Sequence, residues 1–332
     1  MKKFNAVFFL ALILGCTEEK DNQVVLYPPE LEVISLSDSV FFGWVRDVEL
    51  DTNHVYLIDQ GSNKILETNY NFHLKQRYGV SGQGPGEMMS PLNLAVNGDG
   101  VVVYDHLNGK FIEFQNLEPF REHKYSGSTG EFALFDSDNV IGYSYGGDEL
   151  SVFKLNLSNS VKEKLYVERN SLFESNPRVH ILKNSDFIVL VFRDNLLSIR
   201  ILDLQGELIR AYNQEDLLVS LGPWVKSLEL ENFQNKKEGN IVKNKVMFFD
   251  AYLTEKGLYL LIPQIVRGEG KPAPSTIVKY LIDSEGLLTN EEVLVYDKEG
   301  DDVFYSIAVS EKQKVVFGYN PSKGSLSKFS FQ

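Results

Sequence analysis

Short apolar runs, separated by polar turn residues, follow one another along most of this chain. Residues 55–59 are apolar up to their last position, residues 64–68 contain the apolar pair Ile65 and Leu66, and the polar residues 60–63 stand between the two runs. Runs of this length bounded by Gly, Asn and Asp are typical of β-strands in tight hairpins. The pattern therefore predicts an all-β protein of short strands.

The strand pattern of the first unit recurs 46 positions later. Residues 94–97 match 48–51, residues 101–105 match 55–59, and residues 110–114 match 64–68. A period in the forties with four short strands is the signature of a β-propeller blade. Looser units begin near residues 132, 178, 246 and 303. We therefore predict a six-bladed β-propeller with four-stranded antiparallel blades.

The last unit contains three predicted strands, and residues 31–36 form a lone alternating strand with no neighbouring hairpin partner. Pairing of residues 31–36 with residues 326–331 would complete the last blade. Such a closed ring leaves no exposed sheet edge. We predict one folded domain over residues 31–332, closed by its N-terminal strand.

The first residues have the organisation of a secretion signal. Residues 2 and 3 are lysines, residues 6–14 are apolar, and Gly15 precedes Cys16, the only cysteine of the sequence. An apolar segment of this length is too short to span a bilayer. The arrangement resembles the lipobox of bacterial lipoproteins, which implies cleavage before Cys16 and its lipidation. An ordinary secretion signal with an incidental cysteine is the alternative.

We accordingly predict a lipoprotein signal peptide over residues 1–15 and a lipidated flexible tether over residues 16–30. The acidic run after Cys16 resembles the surface-export signal of Bacteroidetes lipoproteins, although a solvated tether would look much the same. We expect the protein in the cell envelope, anchored by its lipid to the outer membrane, on the periplasmic side or on the cell surface.

Composition limits the possible chemistry. The formal net charge of −13 argues against a nucleic-acid partner, because an acidic surface repels phosphates. With its only cysteine at position 16, the propeller has no disulfide, no cysteine zinc site and no thiol nucleophile. We predict a monomer without a cofactor.

The five histidines show no metal-binding spacing, and we interpret them as incidental surface residues. They are His54, His73, His106, His123 and His180. Asp59 and Asp105 recur at one blade position. They could be calcium or sugar ligands in the pore, but repetition in register favours a structural role, in which each accepts N–H groups of the following turn.

Two further segments could bind a ligand, but each also has a purely structural interpretation. The acidic residues 297–302 could hold calcium but lack EF-hand spacing, which favours a solvated turn. The tyrosine-rich residues 143–147 could stack on sugar rings but fit a plain strand. No Gly-x-Ser-x-Gly motif is present, and we assign no catalytic and no metal-binding residue.

A glycine-rich stretch over residues 77–88 separates the two matching units. It lacks the spacing of a phosphate loop, which predicts a tight crossover between blades, on a rim near the axis. The stretch either turns the corner only, or presents Arg77, Gln83 and Glu87 to a ligand. A positive φ at Gly84 would make its replacement by valine destabilising.

The sequence resembles the six-bladed β-propeller lipoproteins of Bacteroidetes, relatives of NHL-repeat proteins. The run Gly-Gln-Gly-Pro-Gly-Glu at residues 82–87 and the Asp-x-x-Gly hairpin at residues 203–206 carry the resemblance. It implies the fold and an envelope location. It does not imply a reaction, because a fold alone does not give a function.

We expect a non-enzymatic binding or scaffold protein that recognises a glycan, a peptide or a partner protein on one face of the ring. The alternative is a metal-dependent lyase or hydrolase that acts in the central pocket. An enzyme should show three or more polar side chains from several blades converging in the pore, with perturbed acidity. A binding protein should show an aromatic or charged patch on a rim.

Overall fold

Antiparallel sheets succeed one another along the chain in the computed structural model. It describes residues 24–26, 32–34, 43–98, 100–116, 118–125, 127, 129–146, 149–169, 179–192, 197–213, 216–217, 249–265, 272–295, 304–321 and 324–331. These residues form β-strands and no α-helix. The prediction of an all-β fold is confirmed. Cys16 and residues 297–302 lie outside the described residues.

Two short strands come first, and four-stranded units follow. The two short N-terminal strands are β1 (Val24–Leu26) and β2 (Glu32–Ile34). Blade 1 contains β3 (Val45–Leu50), β4 (His54–Asp59), β5 (Lys64–Asn69) and β6 (Leu74–Tyr78). Blade 2 contains β7 (Pro91–Asn97), β8 (Gly100–Asp105), β9 (Lys110–Gln115) and β10 (Glu118–Lys124). Blade 3 contains β11 (Phe132–Leu134), β12 (Asn139–Gly146), β13 (Glu149–Asn156) and β14 (Lys162–Arg169).

The remaining three blades complete the ring. Blade 4 contains β15 (Val179–Lys183), β16 (Ile188–Phe192), β17 (Ser198–Leu202) and β18 (Leu208–Tyr212). Blade 5 contains β19 (Asp250–Leu253), β20 (Gly257–Ile265), β21 (Pro272–Ile282) and β22 (Leu288–Val295). Blade 6 contains β23 (Ser306–Ser310), β24 (Val315–Asn320), β25 (Ser325–Ser330) and, as its outer strand, β2. The predicted six blades of four antiparallel strands are confirmed.

The first strand of each blade contacts the first strands of the two neighbouring blades, so that β3, β7, β11, β15, β19 and β23 surround a central channel. The core lies between the sheets, with one apolar cluster between each pair of neighbours. The second strands are apolar because both of their faces are covered, as in β16, where all five residues are buried.

The two N-terminal strands pair with the outer edges of the last two blades. β2 pairs antiparallel with β25, with Val33 opposite Ser327. β1 pairs parallel with β22, with Val24 opposite Val293, and gives the sheet of blade 5 a fifth strand that the sequence did not predict. That β2 is needed to close the ring stays a prediction.

The repeat at an offset of 46 holds in the structure down to local irregularities. A bulge interrupts β3 between Val45 and Asp47, and its counterpart interrupts β7 between Pro91 and Asn93. Two strand starts differ from the predictions. In blade 5 the first described strand is Asp250–Leu253; of the predicted run 246–249 only Phe249 is described, and it is not in a strand. In blade 6 the first strand begins at Ser306, after Phe304 and Tyr305, which the predicted strand 303–309 included.

We call the side on which the first strands begin the upper face, and the opposite side the lower face. Because strands alternate in direction within a blade, the crossovers between blades and the turns that follow the second strands lie on the upper face. Turns that follow the first and third strands lie on the lower face. Among the described residues, no helix is long and apolar enough to cross a membrane.

Candidate functional site

The first strand of each blade, or in blade 3 the residue directly before it, places one polar side chain in the central channel. These six residues, which we call the polar ring, are Asp47, Asn93, Glu131, His180, Asp250 and Ser306. The register supports their equivalence. Asp47 pairs with Ile58 of β4, and Asn93 pairs with Tyr104 of β8, its counterpart in the next blade. The ring therefore combines side chains that are far apart in sequence.

The polar ring lines a cavity of about 60 Å³ within the channel. Arg46, Phe249 and Tyr305 directly precede ring residues and line the cavity on its upper side. Glu49 and Tyr252 lie two positions beyond ring residues and line it on its lower side. A buried water molecule needs roughly 10–15 Å³ of such free space, so the cavity has room for about four waters or one small polar group.

Four of the six residues of the polar ring form a continuous chain of contacts. His180 lies between two carboxylates, with its Nδ1 atom 2.8 Å from Oε2 of Glu131 and 3.5 Å from Oδ1 of Asp250. The other oxygen of Asp250 accepts hydrogen bonds from Ser306 Oγ at 2.9 Å and from the backbone N–H of Ile307 at 2.8 Å. Blades 3 to 6 are therefore joined by polar contacts across the channel wall.

The opposite side of the ring repeats part of this arrangement. Asp47 Oδ2 accepts the backbone N–H of Leu94 at 2.8 Å, and Asp47 Oδ1 accepts that of Val48 at 2.9 Å. Asp47 and Asp250 thus both bond the first strand of the next blade. Asn93 occupies the equivalent place in blade 2, but its buried side-chain oxygen has no hydrogen-bond partner among the described residues. That oxygen is an acceptor open to a donor in the channel.

Burial in this polar cavity perturbs the acidity of its carboxyl groups. Burial raises the pKa of Asp47 to about 7, and the nearby charges of Asp250 and Glu131 add to the rise. Burial likewise raises the pKa of Glu49 and of Asp250. Carboxyl groups held in this way gain from any ligand that donates hydrogen bonds or carries positive charge.

An aromatic cluster lies beside the upper side of the cavity. Trp44 is 43% exposed and packs edge-on against Tyr305, with ring centroids 5.7 Å apart. The ring centroids of Phe249 and Tyr305 are 6.2 Å apart. Arg46 Nη1 donates a hydrogen bond to Tyr305 Oη at 3.2 Å. The cluster joins the start of blade 1 to blades 5 and 6. It provides ring faces suited to stacking a sugar or another flat group.

The glycine-rich crossover is held together largely by its own polar groups and by blade 2. Glu87 Oε2 accepts the backbone N–H of Gly84 at 2.8 Å, and the buried Lys110 donates to the Gly84 carbonyl at 3.0 Å. Glu122 accepts from both Lys110 and the backbone N–H of Gly86. Gly79, Gly82 and Gly86 have positive φ values of 144°, 156° and 73°, whereas Gly84 does not, so the condition for a destabilising Gly84→Val is not met.

The three residues proposed from sequence for binding have different settings. Arg77 is exposed on β6, the outermost strand of blade 1, so it does not lie near the axis. Gln83 is exposed and donates to Met89 Sδ at 3.3 Å. Glu87 turns inward onto Gly84. Ligand binding by these three residues stays a prediction.

Asp59 and Asp105 have the structural role that their repetition favoured. Asp59 accepts the N–H of Gly61 in the following turn at 3.1 Å and also that of Trp44 at 2.9 Å. Asp105 accepts the backbone N–H of Ser90 at 2.8 Å and, from the following turn, the side-chain amide N–H of Asn108 at 2.7 Å. Each carboxylate therefore links, through hydrogen bonds, the segment that enters its blade to the turn after the second strand.

The histidines are less uniform than the sequence suggested. His180 is 6% exposed and lies in the channel, so its interpretation as a surface residue is wrong. His54 lies beside Asp51 and His123 beside Glu113, on the flanks of blades 1 and 2. In the described part of the chain, no group of three or more His, Cys, Asp or Glu side chains is arranged to hold a metal ion.

The tyrosine-rich segment has a structural place. Tyr143 is buried in the cluster between blades 3 and 4, together with Ile141 and Val152. Its neighbour Tyr145 packs partly buried against the same cluster. The plain strand interpretation is therefore confirmed for Tyr143.

The fold and its channel define a six-bladed β-propeller. No protein-family model matches the sequence, and comparison with curated protein sequences gives no match. Among solved structures, the fold is similar to that of a Bacteroides fragilis protein provisionally named as exported, at a TM-score of 0.59 and 12% identity over 91% of this chain and 94% of that one.

Two further Bacteroides structures share the fold. A member of the DUF4221 family from Bacteroides vulgatus has a TM-score of 0.56 and 10% identity, over 94% of this chain and 99% of that one. An auxiliary nutrient binding protein from Bacteroides thetaiotaomicron has a TM-score of 0.54 and 11% identity, over 87% and 69% of the two chains. At these identities the similarity shows the fold alone.

Proposed function

We propose that this chain is a binding protein of the cell envelope, and that its propeller holds one end of a ligand in the central channel. The polar ring carries the proposal, because all six blades contribute a side chain to one small cavity. Ligand sites in proteins are typically concave and contain a few convergent polar groups. Structural neighbours described as exported or nutrient binding are consistent with this role.

The lining favours a ligand end that donates hydrogen bonds. Asp47, Glu131 and Asp250 supply acceptor oxygens, and the free oxygen of Asn93 adds another. Sugar hydroxyls and the amino groups of peptides are donors of this kind, and Trp44 and Tyr305 could stack on a sugar ring beside them. A glycan or a peptide therefore fits the site better than a phosphate or carboxylate group.

The experiment is a screen of glycans and short peptides against the purified protein, followed by titration with channel variants. We expect His180→Gln and Asp250→Asn each to weaken binding by about tenfold or more, since buried polar contacts are worth roughly 1–3 kcal/mol. The matched control is Gln83→Ala on the glycine-rich crossover, for which we expect unchanged affinity. Binding that is lost in Gln83→Ala but kept in both channel variants would contradict the proposal.

Lipidation of Cys16 would hold the propeller at the outer membrane. The apolar run before Cys16 and the polar residues after it support this part of the proposal. Cys16→Ser should move the protein from the membrane fraction to the soluble fraction, because the acyl chains would be its main attachment. The measurement is sedimentation of membranes after a salt wash. Continued sedimentation of the variant would contradict lipid anchoring.

A catalytic role in the same cavity is the second candidate. His180 between Glu131 and Asp250, with the raised pKa values of Asp47 and Asp250, meets the criterion of convergent polar groups with perturbed acidity. Incubation of each ligand found in the screen with protein, with and without added divalent metal, would test it. Turnover that disappears in His180→Gln would favour the lyase or hydrolase, and an intact ligand would favour binding alone.

A further inference from the structure

The parallel pairing of β1 with β22 fixes where the N-terminal chain leaves the propeller. β22 runs from the lower face, after the turn at residues 283–287, towards the upper face. β1 lies parallel to the last three residues of β22, because Val24 pairs with Val293 and Leu26 pairs with Val295. Val24 is therefore at the outer edge of blade 5, in the half of β22 nearer the upper face. This edge lies across the ring from blade 2, since β19 and β7 are separated by two first strands on either side.

The chain between Cys16 and Val24 is short compared with the domain. Eight residue steps separate them, which reach at most about 28 Å when fully extended. A globular domain of about 300 residues is roughly 50 Å across. A lipid on Cys16 therefore lies within reach of blade 5 but not of the far side of blade 2.

From these constraints we propose that the propeller is held with the outer edge of blade 5 towards the lipid surface. The inference rests on the proposed lipidation of Cys16. Blade 2, which lies across the ring, is then on the side away from the membrane. The interaction surface is thus the outer edge of blade 5, formed by β1 and β22, and its partner is the bilayer that receives the acyl chains.

The sequence allows a clean test, because Cys16 is its only cysteine and lipidation consumes that thiol. Two exposed leucines provide a matched pair. Leu287 is 42% exposed in the lower-face turn of blade 5, and Leu107 is 64% exposed in an upper-face turn of blade 2. The lipidated full-length variants Leu287→Cys and Leu107→Cys, labelled with a donor dye, are reconstituted into vesicles containing an acceptor lipid.

We expect energy transfer to the lipid to be more than about twofold higher from position 287 than from position 107, since the two positions differ in distance by a large part of the domain diameter. Equal transfer, or higher transfer from position 107, in vesicle-bound protein would overturn the orientation while leaving the anchor intact. Protein that stays off the vesicles and labels on two thiols would overturn lipidation, and the orientation with it.

A third variant tests the role of β1 itself. Alternate residues of a strand point their N–H groups at the partner, so replacing both Val24 and Val25 with proline removes at least one ladder bond. In the Leu287→Cys and Leu107→Cys backgrounds, this change should reduce the difference in transfer between the two positions. An unchanged difference would show that β1 does not set the orientation.

Discussion

At the residue scale, the same side chains of the polar ring connect neighbouring blades and offer hydrogen-bond acceptors to a ligand. Asp47 and Asp250 each accept a backbone N–H from the next blade, which stabilises the channel wall. Their remaining acceptor capacity points into a cavity in which carboxyl groups are crowded and partly desolvated. A ligand that donates hydrogen bonds would relieve that crowding, so the site gains more from a donor than from an acceptor.

The acidity of Asp47 gives a prediction about pH. An unfolded Asp has a pKa near 3.9, and burial raises the folded value to about 7. Between these values the folded protein binds the proton more tightly, so the free energy of unfolding falls as pH rises from about 4 to 7. We expect Asp47→Asn to lose less stability than the natural protein between pH 5 and pH 8, measured by urea unfolding.

The control for Asp47→Asn is Glu118→Gln, which removes one carboxylate from the exposed strand β10. Glu118→Gln should retain the pH dependence of the natural protein, because only general surface charge changes. The same slope for Asp47→Asn and Glu118→Gln would show that the channel carboxyl group does not titrate as described.

Gly86 gives a second prediction at this scale. Its φ is 73°, and a Cβ atom added there would lie 2.7 Å from Cγ of Pro119. We expect Gly86→Ala to lower the free energy of unfolding by about 1–3 kcal/mol. The control is Gly98→Ala, with a φ of 58° and no atom within 4 Å of the added Cβ. An equal loss in both variants would mean that the contact with Pro119 costs nothing.

The third prediction at this scale concerns Glu87 and Gln83 of the glycine-rich crossover, whose side chains should differ in their contribution to stability. Glu87→Ala should lower the free energy of unfolding by about 1 kcal/mol, since it leaves the N–H of Gly84 without its acceptor. Gln83→Ala should have almost no effect, because Gln83 is exposed and its one described contact is to a sulfur atom. A destabilised Gln83→Ala with a neutral Glu87→Ala would contradict this assignment.

The sequence could have revealed part of the site but not its chemistry. Asn93 stands 46 positions after Asp47, so the repeat alone places both at one blade position. His180 has no such partner in sequence. Its contact with Glu131 and Asp250 depends on the packing of neighbouring blades, which brings His180 beside residues 49 and 70 positions away in the sequence. Spacing rules that detect metal pairs within one strand cannot detect such a set.

At the element scale, strand existence was more predictable than strand position. Blades 1 and 2 were predicted well because their turns contain Asn, Asp and Gly at repeated places. In blade 5 the prediction placed a strand at the apolar residues 246–249, whereas the first described strand begins with the acidic Asp250. First strands face a polar channel, so their pattern is less apolar than that of the buried second strands.

The N-terminal strand gives a prediction at this scale. Deleting the residues up to 36 removes both β1 and β2, and leaves β22 and β25 as open edges of blades 5 and 6. We expect aggregation or a clearly lower melting temperature, because unpaired edge strands recruit other chains. A truncation to residue 22, which keeps both β1 and β2, is the control. A monomeric truncation to residue 36 with unchanged stability would contradict closure by this strand.

At the scale of the whole molecule, the period in the forties was sufficient to predict the architecture. Each unit buries its apolar faces only against its neighbours, so the repeat implies a ring. Function did not follow from the fold in the same way, because propellers with similar blades carry different channel residues. The polar ring became visible only when the six first strands were seen around one axis.

The most direct test of the proposed function is a crystal structure of the soluble Cys16→Ser protein with the ligand found by screening. The account predicts that the ligand lies in the channel, with a donor group within hydrogen-bond distance of Asp47, His180 or Asp250. A ligand bound instead at Arg77, Gln83 and Glu87, with the polar ring occupied only by solvent, would contradict it.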